Sequence, residues 1–278
     1  GASGFLGKNL IKALKKKNII PYCVSRKKIK NNNSIIIKNY GELSPKKNSI
    51  LVHLAENNNI SQVNLLGQSY IDNNVTNLNS LLEKDWKHVI YISSIVVQQE
   101  AIKISTYKKS KEVCEKIILQ HGGTILRMTN LYGPYMSTAN VFSDIIKQLD
   151  NELIILKNIR AVRDFLWIDD AVEAIISATN IKPGGIYNVA SGKLISIEDI
   201  VKHFIKIYKV KHNNILSVQK KKNEEFSAID ISKTKEVLDW HPNFSIETGI
   251  KKLLKYRPKY NLESGIKEYL SFYKKNKI

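Results

Sequence analysis

Short apolar, β-branched runs alternate with longer amphipathic stretches through the first half of the chain. This alternation narrows the fold more than any other feature. The runs IPYCVS (20–25), SIIIK (34–38), ILVHLA (50–55), HVIYIS (88–93) and TILRM (124–128) read as strands. Stretches 7–17, 70–84, 105–120 and 140–150 carry helical periodicity. Strands separated by helices are joined by crossovers, so they pair in parallel and helices cover both faces of the sheet. The strands are apolar along their length, as expected where both faces are covered. The expected class is therefore α/β, with a doubly wound parallel sheet. A chain of 278 residues, 43% of them hydrophobic, has the material for a sizeable core.

The second half is more mixed. RDFLWI (163–168) reads as a strand, with Asp169 or Asp170 as the cap of a following helix. GGIYNVASG (184–192) reads as turn, strand, turn, and 196–208 as an amphipathic helix. Residues 241–250, HPNFSIETGI, are repeated as RPKYNLESGI at 257–266, each copy a proline turn leading into a helix. The Asn-rich stretches 31–33 and 57–59 read as loops.

The formal net charge is +19. Nearly all of the basic residues are lysines spread over the whole chain. Arginine stands only at Arg26, Arg127, Arg160, Arg163 and Arg257. Nucleic-acid readers concentrate arginine on one face, so this pattern reads as a solvated surface that attracts small anions. No apolar run reaches the roughly 20 residues of a membrane helix. Cys23 and Cys114 are too far apart in sequence to suggest a CxxC pair. With no signal-peptide pattern visible, a cytoplasmic setting is expected, and no metal-ligand set is read.

The residues that suggest chemistry begin with GASGFLG. Gly1, Gly4 and Gly7 precede a helical pattern. Glycines let a backbone approach a pyrophosphate, and a helix N-terminus favours its negative charge. Tyr107 and Lys111 stand four apart on a helical stretch and share one face, with Ser94 at the end of a strand. A free tyrosine has a pKa of about 10, and a nearby ammonium lowers it toward the range useful for proton transfer.

These residues are part of a longer series of ordered motifs: GASGFLG; HLA at 53–55; DNNVTNLNSLL from Asp72; YISS from Tyr91; YKKSKEVCE from Tyr107; LRMTNLYGP from Leu126; RDFLWIDDAVEA from Arg163; YNVASG from Tyr187; and DISKTKEVLDWHP from Asp230. In this order they resemble the extended short-chain dehydrogenases/reductases, the NAD-dependent epimerase/dehydratase family. The resemblance implies a Rossmann sheet with a smaller mixed α/β substrate-binding domain. It places 1–129 and about 163–180 in the first, and about 130–162 and 181–278 in the second. It implies that Ser94, Tyr107 and Lys111 form a catalytic triad, with Tyr107 and Lys111 also touching cofactor. Gly1, Ser3, Gly4, Phe5, Leu6 and Gly7 match the phosphate loop, and Leu54, Ala55 and Asn74 the cofactor lining. Asn130 and Arg163 match residues that hold the diphosphate of a nucleotide-diphosphate sugar, and the Ser94 hydroxyl is expected to hold the substrate oxygen that gains or loses the proton. Members of the family commonly pair as homodimers through helices here near 70–84 and 105–120.

The departures from the family pattern are informative. Ile95 and Val96 stand where the dehydratases carry an Asp-Glu pair, so 4,6-dehydration is not expected. A loop shorter than usual precedes Tyr107. A second phosphate-binding arginine is replaced by Lys220, Lys221 and Lys222, which are point charges rather than forks. Ser25-Arg26-Lys27-Lys28 stands where an acidic residue would select NAD, which favours NADP(H) and leaves NAD(H) open. Two activities fit: reduction of a 4-keto-6-deoxy sugar nucleotide, which Arg26 and the short loop favour, and 4-epimerisation of a sugar nucleotide. A non-catalytic NADP- or RNA-binding relative is the remaining reading. Lastly, the family carries a buried central strand immediately before the phosphate loop. The sequence begins at the loop itself, so either a central gap or a substitute segment is expected, with a natural protein on the order of 5–10 residues longer at this end.

Overall fold

The computed structural model describes residues 1–26, 28–29, 33–56, 59–99, 105–209, 214–219 and 226–256. In chain order the first elements are α1 (Phe5–Lys16), β1 (Cys23–Ser25), β2 (Ser34–Ile36), β3 (Ile50–His53), α2 (Ile60–Leu66), α3 (Gln68–Leu82), β4 (His88–Ser94), α4 (Thr106–Gln120) and β5 (Thr124–Met128). There follow β6 (Asn130–Tyr132), α5 (Val141–Gln148), β7 (Leu153–Leu156), β8 (Val162–Trp167), α6 (Ile168–Ile181) and β9 (Gly185–Val189). The last are β10 (Leu194–Ser196), α7 (Ile197–Tyr208), β11 (Asn214–Ser217), α8 (Ser232–Leu238) and α9 (Ile246–Lys255).

Strands β3, β4, β5 and β9 form a parallel sheet in that order, with Val52 opposite Ile90, Ile92 opposite Leu126, and Leu126 opposite Tyr187. Successive side chains go to opposite faces. Ile90 and Leu126 join a core with Ala171, Ala174, Ile175 and Ala178 of α6. Tyr91 and Ile125 face Leu78 of α3 and Ile118 of α4. The alanines let α6 lie close against the sheet. The structure is thus the expected α/β fold with helices on both faces.

The sheet is interrupted. β1 and β2 pair in parallel with each other, Val24 opposite Ile35, and among the described residues no strand joins β1 to β3. Gly1 lies between them. The Ala2 amide donates to the Val24 carbonyl at 3.4 Å, and a Cβ on Gly1 would come 2.5 Å from the Leu54 backbone. Of the run 20–25 only Cys23–Ser25 pairs; Pro21 has no amide to donate, and Ile19 and Ile20 are exposed.

A second unit packs at the C-terminal ends of these strands. Strand β8 is antiparallel to β10 and parallel to β6, and β7 pairs with β11. Its core joins Tyr132, Phe142, Trp167, Ile200, Phe204 and Ile250, with Tyr132 stacked on Phe142 at 4.4 Å. The hydrogen bonding corrects the expected division in two strands: β9 (185–189) completes the first sheet, and β8 belongs to the second unit. The expected cap of α6 is also corrected. The N-cap is Trp167, without a side-chain cap bond, and both aspartates lie inside the first turn. Asp170 is buried and accepts the amides of Asn243 and Phe244 at 2.9 and 3.1 Å, fixing the turn before α9. The second copy of the repeat, at 257–266, lies outside the described residues.

Candidate active site

The phosphate loop is built by close approach. A Cβ on Gly7 would strike the Gly1 carbonyl oxygen and come 2.8 Å from the Ala2 Cα, so the turn closes only with glycine there. Helix α1 starts from Gly4 with no side-chain cap and no acidic residue in its first turn. Its first amides and positive dipole end are therefore available to an anion. This uncapped, glycine-lined cradle fits a dinucleotide phosphate.

One cavity of about 1230 Å³ opens along this loop and between the two units. Gly1, Ser3, Gly4, Phe5, Leu6 and Gly7 line one side, and Leu54 and Ala55, just after β3, stand beside them. Ser94 at the end of β4, and Tyr107 and Lys111 on α4, line it next, with Asn130 of β6 and Arg163 of β8 across from them. Arg26 and Asn74 are not among the lining residues. Arg26 is exposed at the end of β1, next to Ser25, whose hydroxyl donates to that of Ser3 at 3.2 Å. Asn74 donates to the Ser110 hydroxyl at 3.1 Å and so braces α3 on α4 beside Lys111. Asn130 donates to the Asp164 carbonyl at 3.0 Å. Arg163 donates to the Val162 carbonyl at 2.8 Å and stacks on Phe226, 3.9 Å from the ring centre. Lys220–Lys222 lie outside the described residues.

Helix α4 begins at the Ser105 cap, whose hydroxyl accepts the Lys108 amide at 3.1 Å. This start sets the phase that turns Tyr107 and Lys111 inward. Lys111 donates to the Ile92 carbonyl at 2.7 Å, and its ammonium lies 5.7 Å from the centre of the Tyr107 ring. Withdrawal from water pushes the Tyr107 phenol above its ordinary pKa of 10.0. The Lys111 ammonium and a hydrogen bond with Ser94 pull it back, while Glu56 adds to the rise. The net direction is upward, opposite to the fall expected from Lys111 alone.

Burial is the main reason, and a residue that the sequence did not flag adds to it. Glu56, next to Ala55, lines the same cavity and forms an ion pair with Lys111. It also accepts the hydroxyls of Tyr70 and Tyr91 at 2.9 and 3.1 Å. Its adjacency to the HLA motif was the available signal. Lys157, at the end of β7, and Gln219 beside it also line the cavity, the Gln219 amide bonding the Lys157 carbonyl at 2.8 Å. A lysine directly after a strand was their weaker signal.

Comparison with known proteins agrees with this geometry. The family model described as NAD dependent epimerase/dehydratase family matches residues 1–190. CDP-abequose synthase of Salmonella typhimurium is 23% identical over 294 residues, 91% of this chain and 95% of that protein. dTDP-L-rhamnose 4-epimerase of Burkholderia thailandensis is 28% identical over 135 residues, 46% of this chain and only 37% of that protein. In structure, RMD from Pseudomonas aeruginosa complexed with NADPH superposes with a TM-score of 0.72 at 19% identity, covering 92% of this chain and 96% of that one. The chain belongs to the NAD-dependent epimerase/dehydratase family, the NAD(P)-dependent enzymes of the extended short-chain dehydrogenase/reductase type.

Proposed function

We propose that this protein reduces the C4 carbonyl of a 4-keto-6-deoxy sugar joined to a nucleoside diphosphate, using NADPH. The observation that carries this reading is the state of Tyr107. It is a phenol held above its ordinary pKa beside the Ser94 hydroxyl, inside a cavity with a phosphate cradle on one side and Arg163 on the other. Reduction of a ketone requires a proton for the new alkoxide. Tyr107 donates it, and Ser94 holds the carbonyl oxygen in line. The loop around Gly1–Gly7, with Leu54 and Ala55, holds the dinucleotide, which supplies the hydride when bound. Lysines and Arg163 hold the diphosphate. Arg26 and Lys28, cationic at the end of β1, support a cofactor with a 2′-phosphate. The apolar Ile95 and Val96 provide no carboxylates to expel water. Two copies pair through α3 and α4, which sedimentation would read as a dimer mass.

A second reading, 4-epimerisation, is supported by the likeness to dTDP-L-rhamnose 4-epimerase. In it Tyr107 must first take a proton from a C4 hydroxyl. One experiment separates the two. A panel of nucleotide sugars is incubated with NADPH, with NADH and with no added cofactor, following nicotinamide absorbance and product stereochemistry. Consumption of NADPH with a 4-keto substrate is expected; turnover with no added cofactor and no net change in absorbance overturns the reductase reading in favour of the epimerase.

A further inference from the structure

We infer that Glu56 is a positioning residue that offsets the charge of Lys111 and so weakens the pull of that ammonium on the Tyr107 proton. The inference rests on Tyr107 being the proton donor of the reaction proposed above. Its substance is the geometry of a closed charge pair.

Lys111 is enclosed. Its side chain is 4% exposed and that of Glu56 is 10% exposed. The ammonium is spent on the Glu56 carboxylate and the Ile92 carbonyl, and it sits 4.6 Å from the centre of the Tyr91 ring. Glu56 receives three donors, from Tyr70 on α3, Tyr91 on β4 and Lys111 on α4. A carboxyl group ringed only by donors is an acceptor on both oxygens, which is the ionised form. A lysine with no counterion at this depth would act on Tyr107 as a full positive charge. Paired with Glu56, it acts as a dipole, whose field falls off far faster.

The other groups facing this pair leave the balance to it. From β3, His53 is driven down to about 3, by burial first and the Lys111 ammonium second, and is uncharged at neutral pH. From α3 and β4, Tyr70 and Tyr91 are raised by burial and by Glu56, and remain phenols. From α4, Cys114 is pushed up to about 11 by burial and stays a thiol. Ser94, Ser110 and Asn74 carry no charge. Among the charged residues that line the cavity, Lys111 and Glu56 are those that act on Tyr107, while Lys8, Asp144, Lys157 and Arg163 line it elsewhere.

The test reads Tyr107 itself and needs no substrate. The rise of tyrosinate absorbance with pH is recorded for each variant, with NADPH bound and without. The same variant carrying Tyr107→Phe is then subtracted. Glu56→Gln keeps the shape of the side chain and removes its charge. It should lower the Tyr107 midpoint by about 1–3 pH units, the usual effect of an uncompensated neighbouring charge. Glu56→Asp keeps the charge and should hold the midpoint near that of the parent. Glu56→Gln combined with Lys111→Met removes both charges. That pair leaves no buried ion unpaired, so it keeps the question open to measurement even where Glu56→Gln alone fails to fold. It should bring the midpoint within about one unit of the parent.

An unmoved midpoint in Glu56→Gln, or an equal fall in Glu56→Asp, would overturn the inference. So would a rise of about two units or more in the double variant, because Lys111 would then be acting uncancelled. A wrong substrate assignment fails in the sugar-nucleotide panel and leaves these titrations untouched.

Discussion

Tyr107 and Lys111 were legible in the sequence because a spacing of four on a helix fixes a shared face whatever the fold around it. Their electrostatic state was not legible, because it depends on burial first and then on Glu56, which arrives from the end of a different strand. Tyr107→Phe should reduce turnover by about 10²–10⁴-fold, the usual worth of a positioned acid, while NADPH binding measured by fluorescence titration stays near that of the parent. A loss of less than about twofold would remove Tyr107 from the chemistry. Arg26 belongs to the same scale. It is exposed at the edge of the cofactor side, so Arg26→Asp should reverse a preference for NADPH over NADH in paired titrations without lowering stability. His53 gives a pH dependence. Its folded value of about 3 lies below its ordinary 6.5, so the unfolded chain takes up a proton first as pH falls. The stability this residue permits is full above about pH 6.5 and declines below it, by about 2 kcal/mol on reaching pH 5. Urea midpoints measured from pH 7 to 5 should fall in the parent and flatten in His53→Phe.

At the scale of elements, parallel strands and their crossover helices were readable, since length and apolar continuity are local properties. The helix α6 shows where local reading stops. Asp169 and Asp170 looked like caps because aspartate suits a helix N-terminus. The chain instead uses Asp170 as an acceptor for a segment more than seventy residues later. That bond, with the Trp240 indole donating to the Asp170 carbonyl at 2.9 Å, holds the approach to α9. Asp170→Ala leaves the part-buried amides of Asn243 and Phe244 without their carboxylate and should cost about 1–3 kcal/mol in urea unfolding. Helix α9 is then seated by Gly249, where a Cβ would overlap the Tyr132 hydroxyl. Gly249→Ala should destabilise by about 1–3 kcal/mol, seen as a lower melting temperature, and the cost should be absent if the helix can slide. The second copy of the repeat keeps a glycine at the matching position, Gly265.

At the scale of the whole molecule, which sheet β8 and β9 join was not legible, because both follow similar apolar patterns and only pairing distinguishes them. Among the described residues, no helix is long and apolar enough to cross a membrane. The pairing within the first sheet has a consequence for how the molecule breathes. Strands β4 and β5 are paired on both sides, and Ile90 and Leu126 have no exposed surface. Backbone amides of β4 and β5 should therefore exchange with deuterium slower than those of the short pair β1 and β2. Gly1 lines the cavity and stands near both Val24 and Leu54. A dinucleotide held there acts as a rivet as well as a reactant. NADPH should slow exchange across β1 and β3 more than across β9, and uniform slowing of all strands would show that it fastens neither in particular.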